Sequence, residues 1–204
     1  MALESFIPCG ILEIDQLLRF TALVDKMTGI MRHTLLIDKS RRENDAEHSW
    51  HIALMALLFK DYAPKGTNIE RAVKMCIIHD LVEIYAGDTF AFDKDGNKDK
   101  EERERQAADK LFSQIPCGVA AEIRSLWEEF DRMDTLDSKY AATMDRLQPF
   151  LHNTLTAGHT WIEGNPSVGD VLKRIEVAKE TVPELWTWVE KNIDHAVKMG
   201  WLKH

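Results

Sequence analysis

The chain has 204 residues, 45% hydrophobic and 29% charged, a composition that suits one globular domain with a sizeable core and excludes a disordered regulator. Its formal net charge is −8, and the densest basic tract, Lys39-Ser40-Arg41-Arg42, is bordered by acids, which argues against stable binding to long nucleic acid. Three scattered cysteines without a CxxC exclude a disulfide framework, and no run of 18 apolar residues marks a membrane span, so the expectation is a soluble, cytoplasmic protein.

Helical periodicity dominates the chain. Residues 11–28 place Ile11, Ile14, Leu17, Leu18, Phe20 and Leu23 on one broad face before Gly29 stops them. Residues 30–44 are polar and basic and read as a connection with functional potential. Asn44 or Asp45 can cap the next helix, which ends at Pro64-Lys65-Gly66. Asn68 then caps a helix running to about Tyr85, closed by Gly87. The stretch Asp93-Lys94-Asp95-Gly96-Asn97 is a surface turn rather than a calcium loop, because its glycine falls at the fourth position of the frame. A charged helix follows to Pro116, then one over residues 120–130, a longer one from Thr135 to about Thr156, and a loop over residues 158–169. Two C-terminal stretches carrying Trp186, Trp188 and Trp201 complete an all-α fold of about seven or eight helices. One domain is expected over residues 1–204, with its core at about 11–155 and the helices of about 168–200 packed on it.

Three segments set imidazoles or carboxylates inside apolar helices, where each needs a compensating partner. They hold His48, the pair His79-Asp80 with Glu83 behind it, and Asp145. Clustered imidazoles and carboxylates are what a metal site requires. His79 and Glu83, at i and i+4, stack about 6 Å apart on one helical face, while Asp80 lies ~100° around. Asp145 sits mid-helix, whereas Asp131, Asp134 and Asp137 cluster near a helix start and read as caps. His51, His152 and His159 read as packing or surface residues. Glu47 reads as solvated or as a partner of His48, and Glu43 as an anchor for the loop before it.

His48, His79-Asp80 and the distant Asp145 resemble the H…HD…D signature of the HD-domain metal-dependent phosphohydrolases. RRENDAEHS and HDLVEIYAGD are similar to the corresponding segments of the subgroup containing the bacterial 5′-deoxynucleotidases and their eukaryotic relatives. The resemblance covers roughly residues 11–155. It implies one divalent ion (Mn, Co, Mg, Fe, Ni or Zn) held by His48, His79, Asp80 and Asp145. Glu83 would handle the proton of water, Asp88 would be a second acidic residue near the site, and Arg32 would bind phosphate. For Asp88 a turn cap stands beside that role, and for Arg32 the rivals are Arg19, Lys39, Arg41 and Arg42. The implied reaction is phosphate-ester hydrolysis of (deoxy)nucleoside 5′-monophosphates by metal-bound water, in a homodimer. In the bacterial members an aromatic follows the phosphate Arg and packs on the deoxyribose, and Arg32-His33-Thr34-Leu35-Leu36 lacks a Trp there.

Rival readings keep the ligands and change the use. A phosphodiesterase or nucleoside triphosphate hydrolase would need further phosphate contacts, and a regulatory module would bind metal or nucleotide without turnover. A di-iron oxygenase would need histidines between Leu81 and Met144, where there are none.

Overall fold

The computed structural model describes residues 5–203. Among them lie nine α-helices of six or more residues, two single helical turns and one two-stranded ribbon. The fold is all-α, as expected.

Helix α1 (Leu12–Val24) runs into a 3-10 turn and then strand β1 (Met31–Leu35), which pairs antiparallel with β2 (Arg42–Asn44). Residues 30–44 are therefore a ribbon rather than an irregular connection. Its period of two went unrecognised because the inward positions are polar: Arg32 is largely covered and Thr34 buried, while Met31 is 44% exposed. The broad face expected of α1 is also not what the protein buries. Phe20 and Leu23 enter the core, but Ile11, Ile14, Leu17 and Leu18 remain 38–58% exposed.

Helix α2 (Asp45–Leu58) begins in a capping box. Asn44 Oδ1 accepts from the Glu47 backbone N–H at 2.9 Å, and the Glu47 carboxylate accepts from the Asn44 N–H at 3.1 Å. Helix α3 (Ile69–Ile78), with Asn68 as its cap, stops at His79, and the single turn α4 (Glu83–Ala86) resumes the winding. The continuous helix expected to Tyr85 is thus broken at the His-Asp pair. Helices α5 (Lys100–Phe112), α6 (Cys117–Arg132) and α7 (Leu136–Leu155) follow. A short α8 (His159–Gly164) occupies the expected loop, its first N–H groups capped from a distance by Asn153 Oδ1. Helices α9 (Val168–Ile175), α10 (Ala178–Thr181) and α11 (Trp186–Lys198) end the chain.

Helices α2, α3 and α7 pack on one another at the centre. Tyr140 of α7 is fully buried there and donates its hydroxyl to the Ala56 carbonyl at 2.8 Å. The core is continuous from Phe20 to Leu202, with Trp161 inside it and Trp186, Trp188 and Trp201 at its margin. This packing directs His48, His79 and Asp145 from three different helices toward one point.

The capping box fixes where α2 starts and hence where His48 points. Asn44→Ala should lower stability by about 1 kcal/mol, read as a fall in urea midpoint at unchanged slope.

Candidate metal centre

The break after α3 shapes the site. The N–H groups of Leu81, Glu83, Ile84 and Tyr85 bond carbonyls three residues back, at 2.9–3.3 Å. Winding of this 3-10 kind has three residues per turn, so residues three apart point the same way. Asp80 and Glu83 therefore face the site together, in place of the His79–Glu83 stack that a regular helix would give.

His48 Nε2 lies 3.0 Å from Asp145 Oδ1 and 3.9 Å from Asp80 Oδ2. His79 Nε2 lies 3.1 Å from Asp80 Oδ2 and 3.6 Å from Asp145 Oδ1. Ligands about 2.1 Å from a first-row ion stand roughly 3.0 Å apart when adjacent and 4.2 Å when opposite, so His48, His79 and Asp145 have the spacing of one coordination sphere, and Asp80 lies within that range of both imidazoles. Two further observations fit an ion. His79 Nε2 is buried without a hydrogen-bond partner, the nearby carboxylate lying off the direction in which the ring nitrogen bonds. Both rings also engage their other nitrogen: His79 Nδ1 donates to the Cys76 carbonyl at 3.0 Å and His48 Nδ1 to Gln148 Oε1 at 3.1 Å. Those bonds turn each Nε2 lone pair toward the shared point.

The charges there are out of balance. Burial works against a charged His79, yet Asp80 and Asp145 outweigh it and lift the imidazole to about 10. A proton and a divalent cation therefore compete for the same nitrogen. Asp145 is held well below the ordinary range because His48 and His79 overcome its burial, and Asp80 is lowered by His79 and Arg32 in the same way. Burial and the neighbouring Asp80 do the opposite to two other acids, raising Asp45 to about 6 and Glu83 well above its usual value. With carboxylate oxygens within 4.8 Å of each other in this buried space, Asp45 and Glu83 do not both ionise easily.

Arg32 lies inside this acidic group. Its Nη1 donates to Asp80 Oδ2 at 2.7 Å and Asp45 Oδ1 at 3.2 Å, and is 4.0 Å from Asp88 Oδ1. Asp88, raised mainly by burial, is 12% exposed at the side chain and lines the cleft over the centre. The structure thus brings together His48, His79, Asp80, Asp145, Glu83, Asp88 and Arg32. Arg19, Lys39, Arg41 and Arg42 do not line that cleft, and Arg41 is paired with Glu47 on the surface.

A second group, Glu43, His51 and His152, also has its donor atoms within ligand range of one another. The Gln148 amide occupies its middle, donating to Glu43 and sitting 3.1 Å from His152 Nε2 and 3.3 Å from His51 Nδ1. The group is therefore a hydrogen-bonded support behind His48, not a second ion site. His152, read from sequence as packing or surface, completes it by donating Nδ1–H to the Leu35 carbonyl at 2.8 Å.

Several contributors were missed. Asp45 was read only as a helix start, although it is 0% exposed. Gln148 is a neutral residue with no sequence signal beyond its helical spacing of three from Asp145. Lys100 and Arg174 line the cleft from α5 and α9, outside the motifs, with Arg174 Nη2 3.8 Å from Asp145 Oδ2.

A solved structure of a predicted metal-dependent phosphohydrolase from Magnetospirillum magnetotacticum MS-1 superposes with a TM-score of 0.90 at 43% identity, over 98% of this chain and 100% of that one. The 5′-deoxynucleotidase HDDC2 of Xenopus laevis is 26% identical over 136 residues, 66% of each chain, so the match spans just under two thirds of that relative. A Pyrococcus horikoshii protein, PH0347, shares the fold at a TM-score of 0.59 and 22% identity, over 89% of this chain and 99% of that one. Residues 24–186 match the HD domain family, and with most of its length so matched the chain belongs to that family.

Proposed function

We propose that this protein is a metal-dependent phosphomonoesterase that hydrolyses (deoxy)nucleoside 5′-monophosphates. The observation that carries the reading is the convergence of the His48 and His79 Nε2 atoms with the Asp145 carboxylate, Asp80 lying beside both imidazoles, beneath a cleft whose lining includes Arg32, Lys100 and Arg174. The activities named for the Magnetospirillum and Xenopus relatives support it.

His48, His79, Asp80 and Asp145 would hold the ion, and this donor set suits several first-row divalent metals. When bound, the ion neutralises phosphoryl charge and makes water more acidic. Glu83 keeps a buried carboxylate oxygen without a hydrogen-bond partner, and burial and Asp80 raise its pKa well above the usual value, so its protonated form can give a proton to the leaving oxygen and its ionised form can take one from water. The nearby Asp45 carboxylate strengthens the hold of Glu83 on its proton. Arg32 meets the phosphate from beside Asp80, and Asp88 steadies the guanidinium. A His33–Phe90 stack with centroids 4.5 Å apart borders the cleft and offers a surface for the sugar to pack on.

The whole chain is read as one HD domain, residues 11–155 forming its core and the C-terminal helices packing on it; residues 1–4 and 204 lie outside the described residues. No helix among the described residues is long and apolar enough to cross a membrane, and a cytoplasmic location is our reading. A homodimer is supported by a stripe on α2, Trp50, Leu54, Leu57 and Leu58, that is 36–67% exposed at helical spacing.

Purified protein with Mn²⁺ or Co²⁺ should release phosphate from a nucleotide panel. Asp80→Ala should abolish that release, and retention of full activity would sink the site assignment. Glu83→Gln should lower kcat by roughly 10²–10⁴-fold while leaving metal binding intact, separating proton transfer from ligation. In scanning calorimetry, Mn²⁺ at a hundred times its Kd should stabilise the protein by about 2.7 kcal/mol over a chelator-treated sample. That corresponds to roughly 5–10 °C, and Asp80→Ala should lose most of it. Light scattering should give the mass of two chains, and the double change Trp50→Glu, Leu58→Glu should give that of one.

A further inference from the structure

The cleft over the metal centre continues into a second cavity that the proposed reaction does not use. Arg32, Thr34, Phe90, Ala91 and Arg174 line both. Beyond them the second cavity reaches Arg146, and it opens to a surface hollow bordered by Lys94, Lys173, Arg146 and Arg174. In a chain of net charge −8 this is a local reversal of field.

Arg146 is the informative member. It is half-buried, and among the described residues no carboxylate lies within 4.0 Å of it. Its Nη1 donates to the Arg174 backbone carbonyl at 3.1 Å and its Nη2 contacts Met133 Sδ at 2.9 Å. Burial and the positive charge of Arg174, which lines the same cavity, lower its pKa. Two like charges held side by side at a cavity wall, one of them without a counterion, are unfavourable unless an anion arrives from outside. Guanidinium groups also match phosphoryl oxygens in geometry. Half-buried Phe90 and Phe92 offer ring faces at the same cavity, 5.5 Å apart between centroids.

We propose that Arg146 and Arg174 form a second anion subsite, so that the preferred substrate is a nucleotide carrying a phosphoryl group in addition to the one hydrolysed. This rests on the phosphohydrolase reading and narrows its substrate class. In the reaction the water oxygen bonds to the scissile phosphorus, the bond from that phosphorus to its leaving oxygen breaks (an ester in a 3′,5′-bisphosphate, an anhydride in a 5′-diphosphate) and the departing oxygen takes a proton. The second phosphoryl group leaves unchanged on the product. It can sit on the ribose 3′ oxygen or extend the 5′ phosphate, and both share the chemistry that the two arginines recognise.

The test compares adenosine 5′-monophosphate, adenosine 3′,5′-bisphosphate and adenosine 5′-diphosphate. Binding is read by calorimetry on Mn²⁺-loaded Glu83→Gln protein, and hydrolysis by phosphate release from the unmodified chain. At least one doubly phosphorylated nucleotide should bind tenfold or more tightly than the monophosphate, and which one it is identifies the position of the second group. Adding Arg146→Met should remove most of that ratio, with Arg146→Lys retaining part of it. Lys94→Gln with Lys173→Gln, both exposed, should reduce the ratio two- to threefold and decides the matter if Arg146→Met does not fold. Equal binding of all three nucleotides, or a ratio unmoved by these changes, overturns the subsite. Failure to release phosphate from any nucleotide overturns the hydrolase reading instead, and leaves the binding comparison to judge the subsite alone.

Discussion

Five carboxylates, from Asp45, Asp80, Glu83, Asp88 and Asp145, are drawn into one poorly solvated space with the Arg32 guanidinium and two imidazoles among them and Arg174 at the edge. Water cannot screen them there, so positive charge has to come from elsewhere. Protons answer part of the demand: the surrounding carboxylates favour one on His79, and burial and Asp80 favour one on Glu83. A divalent ion answers it more completely. The helix break at His79, the cap before α2 and the buried length of α7 all place charge against this constraint.

Arg32 stabilises the arrangement from within. Its bonds to Asp80 and Asp45 tie the ribbon to both helices, so an internal cation acts as a structural cross-link as well as a phosphate contact. A charge buried this deeply is sensitive to loss of either partner, because the survivor is left unpaired. The cationic border formed by Lys100 and Arg174 has the opposite character. It is only partly covered and belongs to elements that pack onto the centre rather than build it.

What was legible in the sequence followed from covalent spacing. The His-Asp pair with Glu83 three and four residues on, and the mid-helix Asp145, are local facts that survive folding. The ribbon was illegible because its inward positions carry Arg32 and Thr34, which reverses the usual alternation of apolar inside and polar outside. The α1 face misled for a related reason: periodicity reports that a face is apolar, not what covers it, and four of its residues stay exposed. Asp45 was hidden by a residue type that suits a helix start equally well. Gln148 and Arg174 had no signature, since each acquires its role only through a partner on another helix.

Helix α7 carries Asp145, Gln148 and His152 on one side, at intervals of three and four residues, with Arg146 a single step around the barrel toward α9. One covalent rod therefore fixes the ligand, the amide behind His48 and the guanidinium at the neighbouring cavity in a common frame. Substitutions along it can be absorbed one at a time. A one-residue insertion or deletion between Tyr140 and Asp145 cannot, because it would rotate everything beyond it by ~100° and shift it ~1.5 Å relative to the first half of the helix. Length variation in this family should accordingly collect in the turns around α8 and the ribbon, while the first half of α7 keeps an invariant residue count.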